Sequence, residues 1–174
     1  MAYTQADVDF MQGMIAHHAQ ALIMSRMAES HGADSEIRTL AARIINAQND
    51  EIATMQRWLE DRGEVVPEVH IEGIDLMVHG VGDHHLHMPG MLTAEQLEQL
   101  DAARGPEFDR LFLTFMIQHH TGAVDMVEHL FNTDGAAAGD ETFKLASDIQ
   151  VDQRTEIARM QLMLNQRKPT NAGD

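Results

Sequence analysis

Met14-Ile15-Ala16-His17-His18-Ala19-Gln20-Ala21-Leu22-Ile23-Met24 returns as Met116-Ile117-Gln118-His119-His120-Thr121-Gly122-Ala123-Val124-Asp125-Met126, and the repeat decides the fold. Phe10 and Phe112 extend the match upstream at the same offset. Each copy spaces Phe, Met, His, Ala and Met in a 4-3-4-3 pattern, which is one apolar stripe of a helix turning about 100° per residue. A second match follows each copy. Leu40, Ile44, Gln48, Glu51, Ile52, Ala53, Met55, Gln56 and Leu59 pair with Leu145, Ile149, Gln153, Glu156, Ile157, Ala158, Met160, Gln161 and Leu164. This offset is three residues larger, as a longer loop at Asp134–Gly139 requires. Two helical hairpins related in this way predict an all-α four-helix bundle with pseudo-twofold symmetry.

Local signals set the boundaries. Thr4 caps a first helix over about 5–31, and Gly32 stands where a helix C′ residue belongs. Asp34 opens the second helix and Gly63 closes it. Residues 64–92 break the helical period and carry several Gly and Pro, and no strand is expected there. Thr93-Ala94-Glu95-Gln96 is a capping box for a short helix ending near Gly105, and Pro106 suits N1 of the next long helix, to about Asn132. Asp140 caps a last helix that stops before Pro169. The expected organisation is one domain over 1–174: hairpin one at 4–63, a His/Met-rich crossover at 64–105, and hairpin two at 106–168.

Composition narrows the function. In 174 residues there are 13 Met, 11 His and no Cys, with 28 acidic against 12 basic residues. A formal charge of −16 argues against nucleic acid or an anionic membrane surface as partner. The missing cysteines exclude disulfides, thiolate zinc sites, iron–sulfur clusters and a Cys nucleophile. No apolar run reaches the roughly 18 residues of a membrane span, and residues 1–7 carry no signal-peptide pattern. Acidic side chains on outer helix faces, such as Asp7, Glu29, Glu60 and Asp61, read as solvated surface.

The repeated stripes carry polar residues where apolar ones belong. His17 points toward the bundle axis, and His18 lies beside it toward the neighbouring helix. The second helix has a seam of Leu40, Ile44, Glu51, Met55 and Trp58, and Glu156 repeats the intrusion among Ile149, Met160 and Leu164. A lone carboxylate there costs several kcal/mol unless paired, protonated or bound to a cation. These helices alone fit two readings equally: buried Glu–His pairs in a Met-packed core, or ligation by imidazole, thioether and carboxylate.

The crossover tips the balance toward metal. His70, Met77, His79, His84, His85, His87, Met88 and Met91 crowd one short segment with few packing signals, a dense donor cluster on a flexible loop. Thioether favours Cu(I) and imidazole serves several ions, so copper comes first and zinc second. The Glu-x-x-His pattern of di-iron bundles is absent, since Thr54 and Arg159 stand three residues after Glu51 and Glu156.

The paired Met-Ile-x-His-His-x-x-Ala-x-x-Met motifs, with Met88-Pro89-Gly90-Met91 ahead of Gly105-x-x-Phe108-Asp109-x-x-Phe112, resemble the ferritin-like family DUF-305. The resemblance runs from residue 6 to 166. It implies a ferritin-like bundle and an often exported bacterial protein, and some family members are associated with copper binding and tolerance. It also implies that Met14, His17, His18 and Met24 correspond to the family motif in one half, Met116, His119, His120 and Met126 in the other, and Met88 and Met91 to its Met-Pro-Gly-Met element. By this resemblance the location is periplasmic or extracellular, although the chain shows no export signal.

The expected function is metal binding, as a copper buffer or carrier. The donors are His17, His18, His119 and His120 with Met14, Met116, Met55, Met160, Glu51 and Glu156, and His84, His85, His87, Met88 and Met91 capture or pass the ion. A metal-delivery partner or a homo-oligomer would fit such a carrier. Two rivals remain: a metal-dependent redox or hydrolytic enzyme with Glu51 or Glu156 as base, and a stress-related interaction module with structural histidines.

Overall fold

A computed structural model describes residues 3–82 and 87–167. Thr4 and Asp7 form a reciprocal capping box that starts α1 (Gln5–Ser30). Asp34 accepts from Ile37 N at the start of α2 (Ser35–Glu60). Thr93 and Gln96 form a second capping box at α3 (Ala94–Ala102), and Pro106 occupies the first turn of α4 (Gly105–Phe131). The last helix, α5 (Asp140–Gln166), departs by one residue from expectation. Its N-cap is Gly139, while Asp140 lies inside the first turn, where its charge favours the helix dipole.

α1 packs along α2, α4 along α5, and α1 meets α4 across the bundle. Residues early in α1 share an apolar cluster with residues late in α4, so these two helices run antiparallel.

Two expectations for the crossover are corrected. Residues 68–79 form an antiparallel hairpin, β1 (Glu68–Glu72) and β2 (Asp75–His79), where no strand was expected. Its inner residues Ile71 and Leu76 pack on one apolar cluster of the bundle, and Val69 packs on the other. The described part of the segment after it is also held in place. Gln20 on α1 clamps Leu92 on both sides, accepting from its N–H at 2.8 Å and donating to its carbonyl at 3.3 Å. Gln12 donates to Val65 O at 2.8 Å. These layers cover the outer side of α1, which is why it is buried nearly all round rather than along one stripe.

Asp7 is likewise no surface residue. It is 2% exposed, and its Oδ1 accepts from Ala137 N at 2.7 Å, in the α4–α5 turn. Asp109, at the matching place in α4, accepts from Asp34 N at 3.3 Å, at the α1–α2 turn. Each hairpin thus holds the turn of the other by one buried carboxylate.

The core is divided across its middle. One apolar cluster joins Met24, Ile37, Ile44, Phe108, Phe112, Met116 and Met160. The other joins Phe10, Met14, Met55, Trp58, Val127 and Ile149. In sequence, His17, His18, Gln48, Glu51, His119, His120, Gln153 and Glu156 all fall between these groups, two from each long helix. They form a polar layer inside the bundle.

Candidate metal centre

Buried imidazoles dominate that layer. His17, His18 and His120 are 0% exposed and His119 is 1% exposed. His17 and His119 meet across the α1–α4 interface with ring centroids 3.9 Å apart and planes inclined by 36°, while His119 and His120 centroids are 6.3 Å apart. Two imidazolium rings could not approach so closely without water. Burial pushes His17 and His18 down to about 3, and His119 also falls well below the ordinary value, with neighbouring histidines adding to the effect. All three rings are neutral at physiological pH.

Each half has a carboxylate behind its second histidine. His18 Nε2 is hydrogen-bonded to Glu51 of α2, and His120 Nε2 to Glu156 of α5 at 2.6 Å. Desolvation lifts Glu51 to about 7, and Asp152 of α5, in hydrogen-bonding contact with it, is pushed up to about 6 by burial and by the Glu51 charge. When the carboxylates are ionised they accept from Nε2–H, so the lone pair of each ring sits on Nδ1. His17 reaches the same state by another route, because its Nε2–H donates to Pro89 O at 2.9 Å.

Among the described residues the opposite ring edges have no hydrogen-bond partner. His17 Nδ1, His18 Nδ1, His120 Nδ1 and both nitrogens of His119 are buried without a hydrogen bond. Buried polar atoms are usually satisfied, and an orphan of this kind marks a place for water or an ion. Carboxylate or carbonyl on one nitrogen and a bare second nitrogen is the arrangement that fixes the tautomer of a metal-binding histidine. Among the described residues no three His, Asp or Glu side chains are arranged to hold one ion. The remaining buried donors are thioethers: Met14, Met24, Met55, Met116 and Met160 are all 0% exposed.

The Met-Pro-Gly-Met element forms a strap over the bundle. A Cβ on Gly122 would stand 2.0 Å from Pro89 O, so only glycine lets the strap lie against α4. A Cβ on Gly13 would stand 3.1 Å from Met88 Sδ and 3.6 Å from Met126 Cε. The two thioether side chains therefore meet over bare helix. They line an apolar cavity of about 260 Å³ with Phe10, Pro89 and His129.

Placement of the other sequence candidates is mixed. Glu51 and Glu156 are half-buried and face the histidines rather than the bundle axis alone. Met88, Met91 and Met126 are half-buried, and His87 is exposed. His84 and His85 lie outside the described residues. Sequence reasoning missed Asp152, Gln20, Gly122 and the Pro89 carbonyl. A signal existed only for Gly122, as a helix-interior glycine.

Known proteins share this architecture. A DUF305 fragment from Deinococcus radiodurans is 29% identical with a TM-score of 0.79, covering 95% of this chain and 99% of that one. A DUF305 protein from Streptomyces coelicolor, 24% identical, shares the fold with a TM-score of 0.78 over 97% of this chain and 98% of its own. CopM in its Cu(II)-bound form is 29% identical with a TM-score of 0.69, covering 92% and 96% of the two chains, and its Cu(I)-bound form is 28% identical at 0.68, covering 96% and 99%. Among curated proteins, uncharacterized protein L153 of Acanthamoeba polyphaga mimivirus is 39% identical over 62 residues, spanning 34% of this chain and 41% of that protein. The family model described as "Domain of unknown function (DUF305)" matches residues 7–164, and the chain belongs to that family.

Proposed function

We propose that the protein binds a soft metal ion, copper first and zinc second, and buffers or passes it in metal homeostasis. The observation that carries this reading is the set of buried imidazole nitrogens without hydrogen-bond partners among the described residues, in the middle of the bundle. In it, His17, His18, His119 and His120 supply nitrogen, no three of them to one ion, and Met14 and Met116 supply sulfur. Met24, Met55 and Met160 line the flanking core. Glu51 and Glu156 hold the rings in the ligating tautomer and balance the charge of the ion. Met88 and Met126 form the sulfur-lined approach under the strap, and Met91 closes the Met-Pro-Gly-Met element. His84, His85 and His87 extend the capture arm.

A mixed nitrogen–sulfur set suits Cu(I), which accepts thioether where zinc prefers nitrogen, oxygen or thiolate. The copper-bound forms of CopM, similar over nearly the whole chain, support the same ion. A cysteine-free donor set also suits an extracytoplasmic setting.

Anaerobic Cu(I) titration of the full chain against a competing chelator tests the proposal. His119→Gln is expected to weaken binding by at least about tenfold, equivalent to about 1.4 kcal/mol, with the helical circular-dichroism spectrum retained. Equal affinities for wild type and His119→Gln, or wild-type binding no tighter than a scrambled His/Met peptide, would overturn it.

A further inference from the structure

The β1–β2 hairpin gives the molecule a second donor set, well separated in sequence from the polar layer. Its alternation divides two faces. Val69, Ile71, Leu76 and Val78 are half-buried, while Glu68, His70, Glu72, Asp75, Met77 and His79 point outward. The register sets His70 directly opposite Met77 and Glu68 directly opposite His79. His79 therefore lies two residues along from Met77 and diagonal to His70. Opposed Cβ atoms on one face of an antiparallel pair are about 5 Å apart and diagonal neighbours about 7–8 Å. Two imidazoles and a thioether can close on one ion across such gaps by rotamer choice alone.

Among the described residues, the side chains of His70 and His79 have no hydrogen bond or ion pair, and Met77 is a large apolar side chain left 36% exposed. Glu68, Glu72 and Asp75 share the face, and in a chain of net charge −16 they raise the local concentration of cations.

We propose that the outward face of this hairpin is a separate surface metal site, in which His70, Met77 and His79 bind Cu(I) or Ag(I). Donors on a solvated face exchange faster than donors in a sealed core, so the patch takes up ions that the interior would hold. The site shares its ion class with the bundle reading and none of its residues, so the two stand or fall separately.

Ag(I) titration of the full chain, followed by the methionine ε-methyl and histidine ring signals in NMR, is the test. The Met77 methyl and the His70 and His79 rings are expected to shift together and saturate at a common Ag(I) concentration. In His70→Ala/His79→Ala, the Ag(I) concentration needed to move the Met77 methyl should rise by at least about tenfold. In Met77→Leu, which keeps an apolar side chain on the strand, the ring shifts should weaken in the same direction. The core rings of His17 and His119 should respond identically in all three proteins, which also shows that the bundle is intact. A Met77 methyl that does not move in wild type, or that moves equally in the double histidine variant, overturns the proposal. Shifts confined to the hairpin uphold it and overturn the bundle reading instead.

Discussion

Gly122→Ala puts two rules in opposition and makes the strap measurable. In the middle of a helix, Gly→Ala ordinarily stabilises by about 1 kcal/mol. Here the new methyl would stand 2.0 Å from Pro89 O, 2.3 Å from Pro89 C and 2.6 Å from Gly90 Cα. All three are backbone atoms, so no rotamer change relieves the clash, and the strap must lift by more than about an ångström to reach ordinary contact. That movement breaks the His17–Pro89 hydrogen bond of 2.9 Å and strains the Gln20 clamp on Leu92. Overpacking costs about 1–3 kcal/mol, and a buried donor left without its acceptor costs about 1–3 kcal/mol. After the helix gain, the expected net loss is about 1–5 kcal/mol. Urea denaturation followed by far-ultraviolet circular dichroism should show a lower midpoint with an unchanged slope. A variant as stable as wild type, or about 1 kcal/mol more stable, would refute the packing of the strap on α4.

Two further outcomes follow from the polar layer. Glu51→Gln removes a charge that burial disfavours, so the metal-free protein should lose no stability, whereas metal affinity should drop by about 10–100-fold as the carboxylate behind His18 is lost; Cu(I) competition and thermal melts of the same sample separate the two. Stability should fall as pH drops from about 6.5 toward 3. The folded state keeps His17, His18 and His119 neutral while the unfolded chain takes up protons near 6.5. Glu51 and Asp152 act in the opposite sense, since their raised values stabilise the fold at low pH and that contribution is lost as pH rises through about 7 and 6. Within the hydrogen-bonded His18–Glu51 pair the two effects largely cancel, which leaves His17 and His119 against Asp152. Thermal melts in low salt should therefore show a higher midpoint at pH 6.5 than at pH 4.5, and the reverse order would contradict the buried neutral rings.

Helix ends and the histidine pairs were legible because each is signalled by its own side chain. Thr4, Asp34 and Thr93 announce caps, and the duplicated His-His spacing places one ring of each pair on the seam. The hairpin was hidden by its brevity. Only Val69, Ile71, Leu76 and Val78 carry the alternation, and the intervening histidines read equally as metal donors on a loop. The burial of Asp7 is not legible, because its partner, the Ala137 amide, is distant in sequence and leaves no mark there. The Pro89 carbonyl is equally silent, since any residue would present one. Long-range backbone partners are the information that one sequence lacks.

The cost of the polar layer bears on what the bundle is for. Met14 and Met55 on one side and Met24, Met116 and Met160 on the other show that the sequence can fill this core with flexible apolar side chains. Continuing that pattern through the middle would replace paired buried groups by apolar ones, a change that is often neutral or stabilising. Instead five imidazole nitrogens lie buried without hydrogen-bond partners among the described residues. A buried polar atom left unpaired costs about 1–3 kcal/mol, and the whole stability of a domain is about 5–15 kcal/mol. An ion that binds only the folded chain would offset that cost. The strap sharpens the point: it satisfies His17 alone and leaves His119, its counterpart across the interface, with both nitrogens bare. Duplication alone would leave the two rings equivalent. Their difference arises from the crossover, and it makes His119 the ring least committed to hydrogen bonds within the fold.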